Sequence, residues 1–263
     1  MITKAENSSL PKSIIIFFSD VAEVSRFTAR FFKEGLKPPY ELREVLRQCY
    51  EVGYKSLPLI SVTGLIMGMV LIMQSRPTMV EFGAGAYLPS MSAVSIVREI
   101  GPLITALVCA GKISSGIAAE LGSMKVTEQI DAMEVSGTNP FRYLVATRLV
   151  ATTIMIPLLT IYADGISIFG SFIGANIKGS ISFTLFFRRV FDTLEYGDLM
   201  PAVIKSFFFG FAIGLIGCTK GYNSKKGTEG VGNAANSSVV VSMLLVIIIE
   251  MVATQISGLL GLI

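Results

Sequence analysis

"AGKISSGIAAELGSMKVTEQIDAMEVSGTNP", residues 110–140, changes character halfway along. Its first half carries two ladders of small residues. Ala110, Ser114, Ala118 and Gly122 form one; Gly111, Ser115, Ala119 and Ser123 form the other. Residues four apart share a helix face, and a face without bulk lets a second helix approach backbone to backbone, as inside a membrane. The packing expectation is placed on Gly111, Ser115 and Ala119. The second half places Glu128, Asp131 and Glu134 in a short helix, with Glu120 just upstream. Val126, Ile130 and Met133 fall mostly on the opposite side, and Gly137 with Pro140 stops the helix. A membrane element therefore runs into an amphipathic helix with an acidic outer face, with no linker between them. Such a helix is either a solvated connection or a docking element.

The rest of the chain fits this frame. Of 263 residues, 52% are hydrophobic and 16% charged, against about 25% charged in a soluble domain. Leu57–Met73, Leu149–Asn176, Pro201–Cys218 and Val239–Ile263 each hold at most one charge, and Ile100–Ala119 holds only Lys112. Each approaches the roughly 20 residues that cross a bilayer. The reading is an all-α integral membrane protein of about five transmembrane helices. Lys and Arg number nine in 1–55, four in 112–148 and three in 218–237, against six elsewhere, among them Lys178. This excess places the N-terminus and the acidic helix in the cytoplasm, and an odd number of spans leaves the C-terminus outside. No cleavable leader is read in "MITKAENSSLPKS", and "GLLGLI" is expected to end at or in the membrane.

Residues 11–35 put Ile14, Phe17, Val21, Val24, Phe27 and Phe31 on one helical face, with Arg26, Arg30 and Lys33 on another. An amphipathic helix lying in the membrane interface is preferred to one packed on the chain's own core, because little soluble core exists to receive it. The division expected is an interfacial region over 1–55 and a transmembrane domain over 56–263. A second surface helix is read over 182–198.

Several chemistries are disfavoured. There is no histidine, and Cys49, Cys109 and Cys218 are widely spaced, so no metal site is expected. A net charge of +3 gives no reason to expect nucleic acid. "AGKIS" echoes a phosphate loop without its upstream glycine, and "GTEGVG" is not the dinucleotide order. No ATP site is read, and no cofactor.

"REIGP" at 98–102, "ELGSMKVTEQIDAMEV" at 120–135 and "GTEGVGNAANSSVVVS" at 227–242 resemble the MlaE/YrbE permease family, and the likeness runs through most of 60–260. The resemblance implies the permease of a lipid ABC transporter in a bacterial inner membrane. It implies a homodimer, an ATPase subunit that binds the ATP, and an MCE-domain protein on the periplasmic side. It also implies a cytoplasmic coupling helix, which falls on about 120–136 between spans 2 and 3. Glu120, Glu128, Asp131 and Glu134 are then expected to face the ATPase.

Arg98 and Glu99 are read at the outer end of the second span. Adjacent helical residues point about 100° apart, so the two are not expected to face one partner. Either each pairs with another helix, or both line the outer mouth of a lipid cavity; the resemblance favours the second. Met67 and Leu71 on the first span and Phe208 on the fourth are candidate walls of that cavity. Asp164, Lys205 and Glu250 are each alone in an apolar run; Lys205 either pairs with Asp164 or Glu250 or, lying near a span end, snorkels to the interface. The rival readings are a proton-coupled secondary transporter using Glu99, Asp164 or Glu250, and a membrane scaffold.

Overall fold

The computed structural model describes residues 12–35, 41–177 and 179–259, with side chains from Val21 onward. Ile14 and Phe17 lie outside the described side chains, and Lys178 and the final four residues outside the described residues. The described chain is helical: α1 (Lys12–Arg30), α2 (Leu42–Val52), α3 (Leu57–Glu81), α4 (Gly85–Val126), α5 (Gln129–Val135), α6 (Phe141–Ile177), α7 (Phe183–Thr193), α8 (Tyr196–Tyr222) and α9 (Thr228–Leu259). Five are long and apolar enough to cross a bilayer, with α2 and α3 counting as one helical run. The protein is an all-α integral membrane protein.

Helix α6 is the centre. Buried residues make up 67% of its apolar stretch, against 17% for α9, which is therefore peripheral. Small residues set the spacing around α6. A Cβ on Gly68 of α3 would lie 1.8 Å from the Ser167 carbonyl oxygen, and Ser171 Oγ donates to the Gly68 carbonyl at 3.1 Å. Two backbones touch there, which only a residue without a side chain permits.

The ladder on α4 that packs within the chain is the first. Ala110, Ser114 and Ala118 are fully buried against α8 and α9. Ser114 Oγ meets Ser242 Oγ of α9 at 2.8 Å. Gly111, Ser115 and Ala119 lie only half-buried, on the edge of that contact. Helix α9 answers with one buried line of residues four apart: Ala234, Ser238, Ser242, Val246 and Glu250.

Helix α4 starts well before residue 100. Leu88, Ala93, Ile96 and Val97 are helical and buried. Their serine neighbours lower the local hydropathy, so the sequence reading begins this span too late. Arg98 consequently lies thirteen residues inside α4, about 20 Å along the axis from the helix's first residue. Two wide π-type turns interrupt α4, at Ile96–Ile100 and Ala110–Ser114, and they hold Arg98, Glu99 and Lys112. Such turns are rare and gather at functional positions.

The N-terminal helix divides its apolar edge. Phe27 and Phe31 are buried, Phe27 against Phe141 and Tyr222 and Phe31 against Phe211, while Val21 and Phe32 remain exposed. The Arg30 guanidinium lies over the Phe141 ring at 4.4 Å. Helix α7 ends at Thr193, short of residue 198, and buries Phe186 and Val190.

Gly68→Ala should destabilise the fold by about 1–3 kcal/mol through overpacking of the α3–α6 contact. Gly165→Ala on α6, where a Cβ meets nothing within 4 Å, should change little. Thermal unfolding in detergent compares the two; equal midpoints would refute backbone contact at Gly68.

Candidate membrane-embedded charge cluster and acidic helix

The start of α8 is built by a capping box. The Asp198 side chain accepts from the Glu195 backbone N–H, and the Glu195 side chain accepts from the backbone N–H of Asp198. This fixes Asp198 in a buried position facing α4, where its Oδ1 accepts from Arg98 Nε at 2.5 Å. Two turns further along α8, Lys205 is buried too. Its Nζ donates to Glu250 Oε1 at 2.7 Å, to the Arg98 carbonyl at 2.5 Å and to Glu99 Oε2 at 3.4 Å. Three donors thus meet three acceptors. Thr254 Oγ1 of α9 donates to Glu99 Oε2 at 3.3 Å.

Arg98 and Glu99 therefore both reach α8, contrary to the 100° argument. They do so at different levels, because Asp198 and Lys205 lie seven residues apart and Lys205 is long enough to close the gap. Of the two partners considered for Lys205, Glu250 is the one found. The Asp164 carboxylate instead lies against Gly101. A Cβ there would fall 1.7 Å from Asp164 Oδ1, and that oxygen is buried without a hydrogen bond.

Beside the cluster, Met200, Pro201, Ile204, Phe208 and Ile256 wall an apolar cleft of about 220 Å³ that shares Lys205. Phe208 thus shares a cleft with Lys205, while Arg98 and Glu99 line a neighbouring one that also includes Lys205. Met67 does not. It lines a separate small cleft with Ile100 and Gly101, on the face of α4 turned toward α3 and α6, and Leu71 lies one turn farther along α3, half-buried.

The acidic helix is separated from α4 by a sharp turn. Thr127 ends α4, and Glu128 is left-handed with φ of 56°, a conformation that disfavours a side chain. Ile130 is buried and Met133 half-buried, so α5 is anchored on its apolar side. Gly137 at φ 76° ends it with the 6→1 bond from Thr138 N to Met133 O at 3.0 Å. Glu128, Asp131 and Glu134 are exposed. Glu128 lies 3.6 Å from Lys226, whereas Asp131 and Glu134 have no ion-pair partner among the described residues. Glu120 is engaged elsewhere: its Oε1 accepts from the buried Arg148 at 2.8 Å, tying α4 to α6.

The Permease MlaE family matches residues 45–256. The chain belongs to the MlaE family of ABC transporter permeases. Relatives extend the match to nearly the whole length. A probable ABC transporter permease protein of Rickettsia typhi is 35% identical over 93% of this chain and 94% of its own. One from Synechocystis is 32% identical over 90% of each. The intermembrane phospholipid transport system permease protein MlaE of Haemophilus influenzae is 32% identical over 95% and 96%. In this MlaE-family chain, Asp198 and Thr254 are the cluster members that sequence reasoning missed. The Glu195-x-x-Asp198 spacing of a capping box was the available signal for the first; nothing marked Thr254.

Lys205→Met should cost about 3–5 kcal/mol, because it leaves Glu250 buried without its cation. Adding Glu250→Gln should recover part of that loss. Denaturant unfolding of the two variants checks this; a double variant as unstable as the sum of its parts would mean the pair is not coupled.

Proposed function

We propose that this permease moves phospholipid between a bacterial inner membrane and an MCE-domain protein on the periplasmic side. It works as a homodimer driven by a separate ATPase subunit and holds no ATP site of its own. The carrying observation is the buried charge cluster between the apolar helices α4, α8 and α9, beside an apolar cleft. Charged groups between such helices are costly unless they serve a pathway, and a phospholipid needs a polar contact for its headgroup next to an apolar wall for its chains. Arg98, Glu99 and Lys205 would meet the headgroup and Phe208 a chain. Met67 and Leu71 would serve only from a second cavity on the other side of α4.

The name of the Haemophilus influenzae relative supports the phospholipid reading. The exposed apolar side of α9, with Leu244, Ile248 and Met251, and the half-buried Gly111, Ser115 and Ala119 stripe beside it support a second copy as their cover. Residues 1–55 are read as the cytoplasmic and interfacial region and 56–263 as the permease domain, with the N-terminus cytoplasmic and the C-terminus periplasmic.

Helix α5, within 120–136, is read as the coupling helix. Asp131 and Glu134 face the ATPase, Glu128 stands at the rim, and Glu120 acts through Arg148 by keeping α4 and α6 together. Because α5 is anchored by Ile130, a push on it is passed to the bundle. The rival, a proton-coupled transporter, draws on the unbonded buried oxygen of Asp164 and requires transport without the ATPase.

Two variants test this reading in proteoliposomes containing the permease, its ATPase and a fluorescent phospholipid. Asp131→Lys with Glu134→Lys should lower ATPase capture and ATP-driven lipid transfer by about tenfold or more, since like charges across an interface cost several kcal/mol. Arg98→Ala should lower transfer with capture intact. Unchanged transfer in both variants, or transfer that persists without the ATPase, would overturn it.

A further inference from the structure

A further cleft lies at the α5 end of the bundle, far from the charge cluster. It has a volume of about 370 Å³ and opens between α2 and the lower half of α4. Arg47, Glu51 and Lys55 line it from α2 and its following turn; Lys112, Gly116 and Glu120 line it from α4. Its two carboxylates are already committed. Glu51 pairs with Lys55 at 2.6 Å, and Glu120 with Arg148 at 2.8 Å. Arg47 lies 3.6 Å from Glu44 on its own helix, which leaves Lys112 as the charge without a carboxylate. Its Nζ donates to the Lys55 carbonyl, and no carboxylate pairs with it among the described residues.

Three further features converge on Lys112. It occupies the centre of the π-type turn Ala110–Ser114. It is the lone charge in the Ile100–Ala119 run, and a lysine in such a run needs a reason. One turn below it, Gly116 leaves the cleft floor open, since a Cβ there meets nothing within 4 Å.

The cleft is also flanked by an apolar stripe. Leu42, Leu46 and Tyr50 on α2 and Tyr54 in the turn after it, each four apart, are all more than half exposed, and the two tyrosine rings stack at 5.0 Å. Each of Leu46, Tyr50 and Tyr54 directly precedes a cleft residue, which places the stripe about 100° round the helix from the cleft wall, as an outer lip. Tyrosine beside lysine and arginine is the pattern of a headgroup-level surface.

We propose that this cleft binds the phosphate of a phospholipid from the leaflet on the α5 side. Lys112 is its primary contact and Arg47 its second, and the acyl chains run along the Leu46–Tyr50–Tyr54 lip. The charge excess selects an anion, and the adjoining apolar lip selects an anion that carries chains. The site lies on the opposite end of α4 from the Arg98–Lys205 cluster, with Lys112 thirteen residues from Glu99, about 20 Å along the axis. In the orientation proposed above this is the cytoplasmic leaflet. The proposal rests on the lipid reading, but its test measures occupancy and not transport, so either can fail alone.

The chain contains no tryptophan, so Tyr50→Trp supplies a single fluorescent reporter on the lip. The full chain in detergent is titrated with phosphatidylglycerol carrying brominated acyl chains, with brominated diacylglycerol, and with inorganic phosphate as a competitor. Phosphatidylglycerol should quench saturably, and diacylglycerol, which lacks the phosphate, should not. Lys112→Met in the reporter background should shift the midpoint by about tenfold or more, the worth of a charge-assisted contact. Gly116→Leu, which fills the floor without touching charge, should do the same if Lys112→Met fails to fold. Arg188→Gln on α7, an exposed charge outside both sites, should leave the midpoint in place. Equal quenching by diacylglycerol, or a midpoint indifferent to Lys112→Met and Gly116→Leu, would overturn the site. Displacement of phosphatidylglycerol by micromolar inorganic phosphate would assign the cleft to the free anion instead. Loss of quenching when the ATPase subunit is added, without lipid competition, would assign it to that protein.

Discussion

An ammonium group in hydrocarbon is tolerated only where the protein supplies every acceptor it has lost from water. Lys205 obtains them from α4 and α9, through the Arg98 carbonyl, Glu99 and Glu250. One side chain of α8 thereby fixes three helices at one level of the bilayer. The capping box that starts α8 adds a second fixing point through Asp198 and Arg98. Apolar packing in lipid gives little preference for one helix register over another, because lipid tails are as apolar as leucine. These charge contacts supply that preference. The same contacts form the polar half of the proposed lipid pathway, so the register of the helices and the chemistry of the site share their residues.

The fold was legible because a bilayer imposes length and apolarity, and both can be read without contacts. Five spans emerged that way; the amphipathic α1 emerged from helical periodicity, and the stop of α5 from the glycine at 137. The beginning of α4 did not, because Ser90, Ser92 and Ser95 look polar in a sequence, although each is at least half-buried and two of them have partners in the protein. Ser92 Oγ, for example, donates to the Pro89 carbonyl at 2.9 Å. The choice between the two small-residue ladders was also beyond the sequence. They differ by one position, and only the partner helices decide which is covered. Ala110, Ser114 and Ala118 face α8 and α9; Gly111, Ser115 and Ala119 lie at the edge.

The candidate site was legible in part for a related reason. A lone charge in an apolar run marks itself, so Lys205 could be matched in advance to two candidate partners, Asp164 and Glu250, and only the contacts choose the second. Asp198 could not, because it sits where a surface helix and a span meet. Glu120 was placed with the acidic face from its type and spacing, but the buried Arg148 on α6 claims it. Spacing gives a residue's face on its own helix; it does not reveal a partner some thirty residues away in the chain.

The polar and buried residues of α9 lie along one line, from Ser238 and Ser242 to Glu250 and Thr254. The helix is fastened like a door along its jamb. Rotation about that line changes the fastenings least, whereas sliding along it would break the hydroxyl pair and the ion pair together. The geometry of attachment thus favours a swing of α9 over a piston stroke, and a swing widens or narrows the apolar cleft beside Phe208 without unmaking the charges that border it.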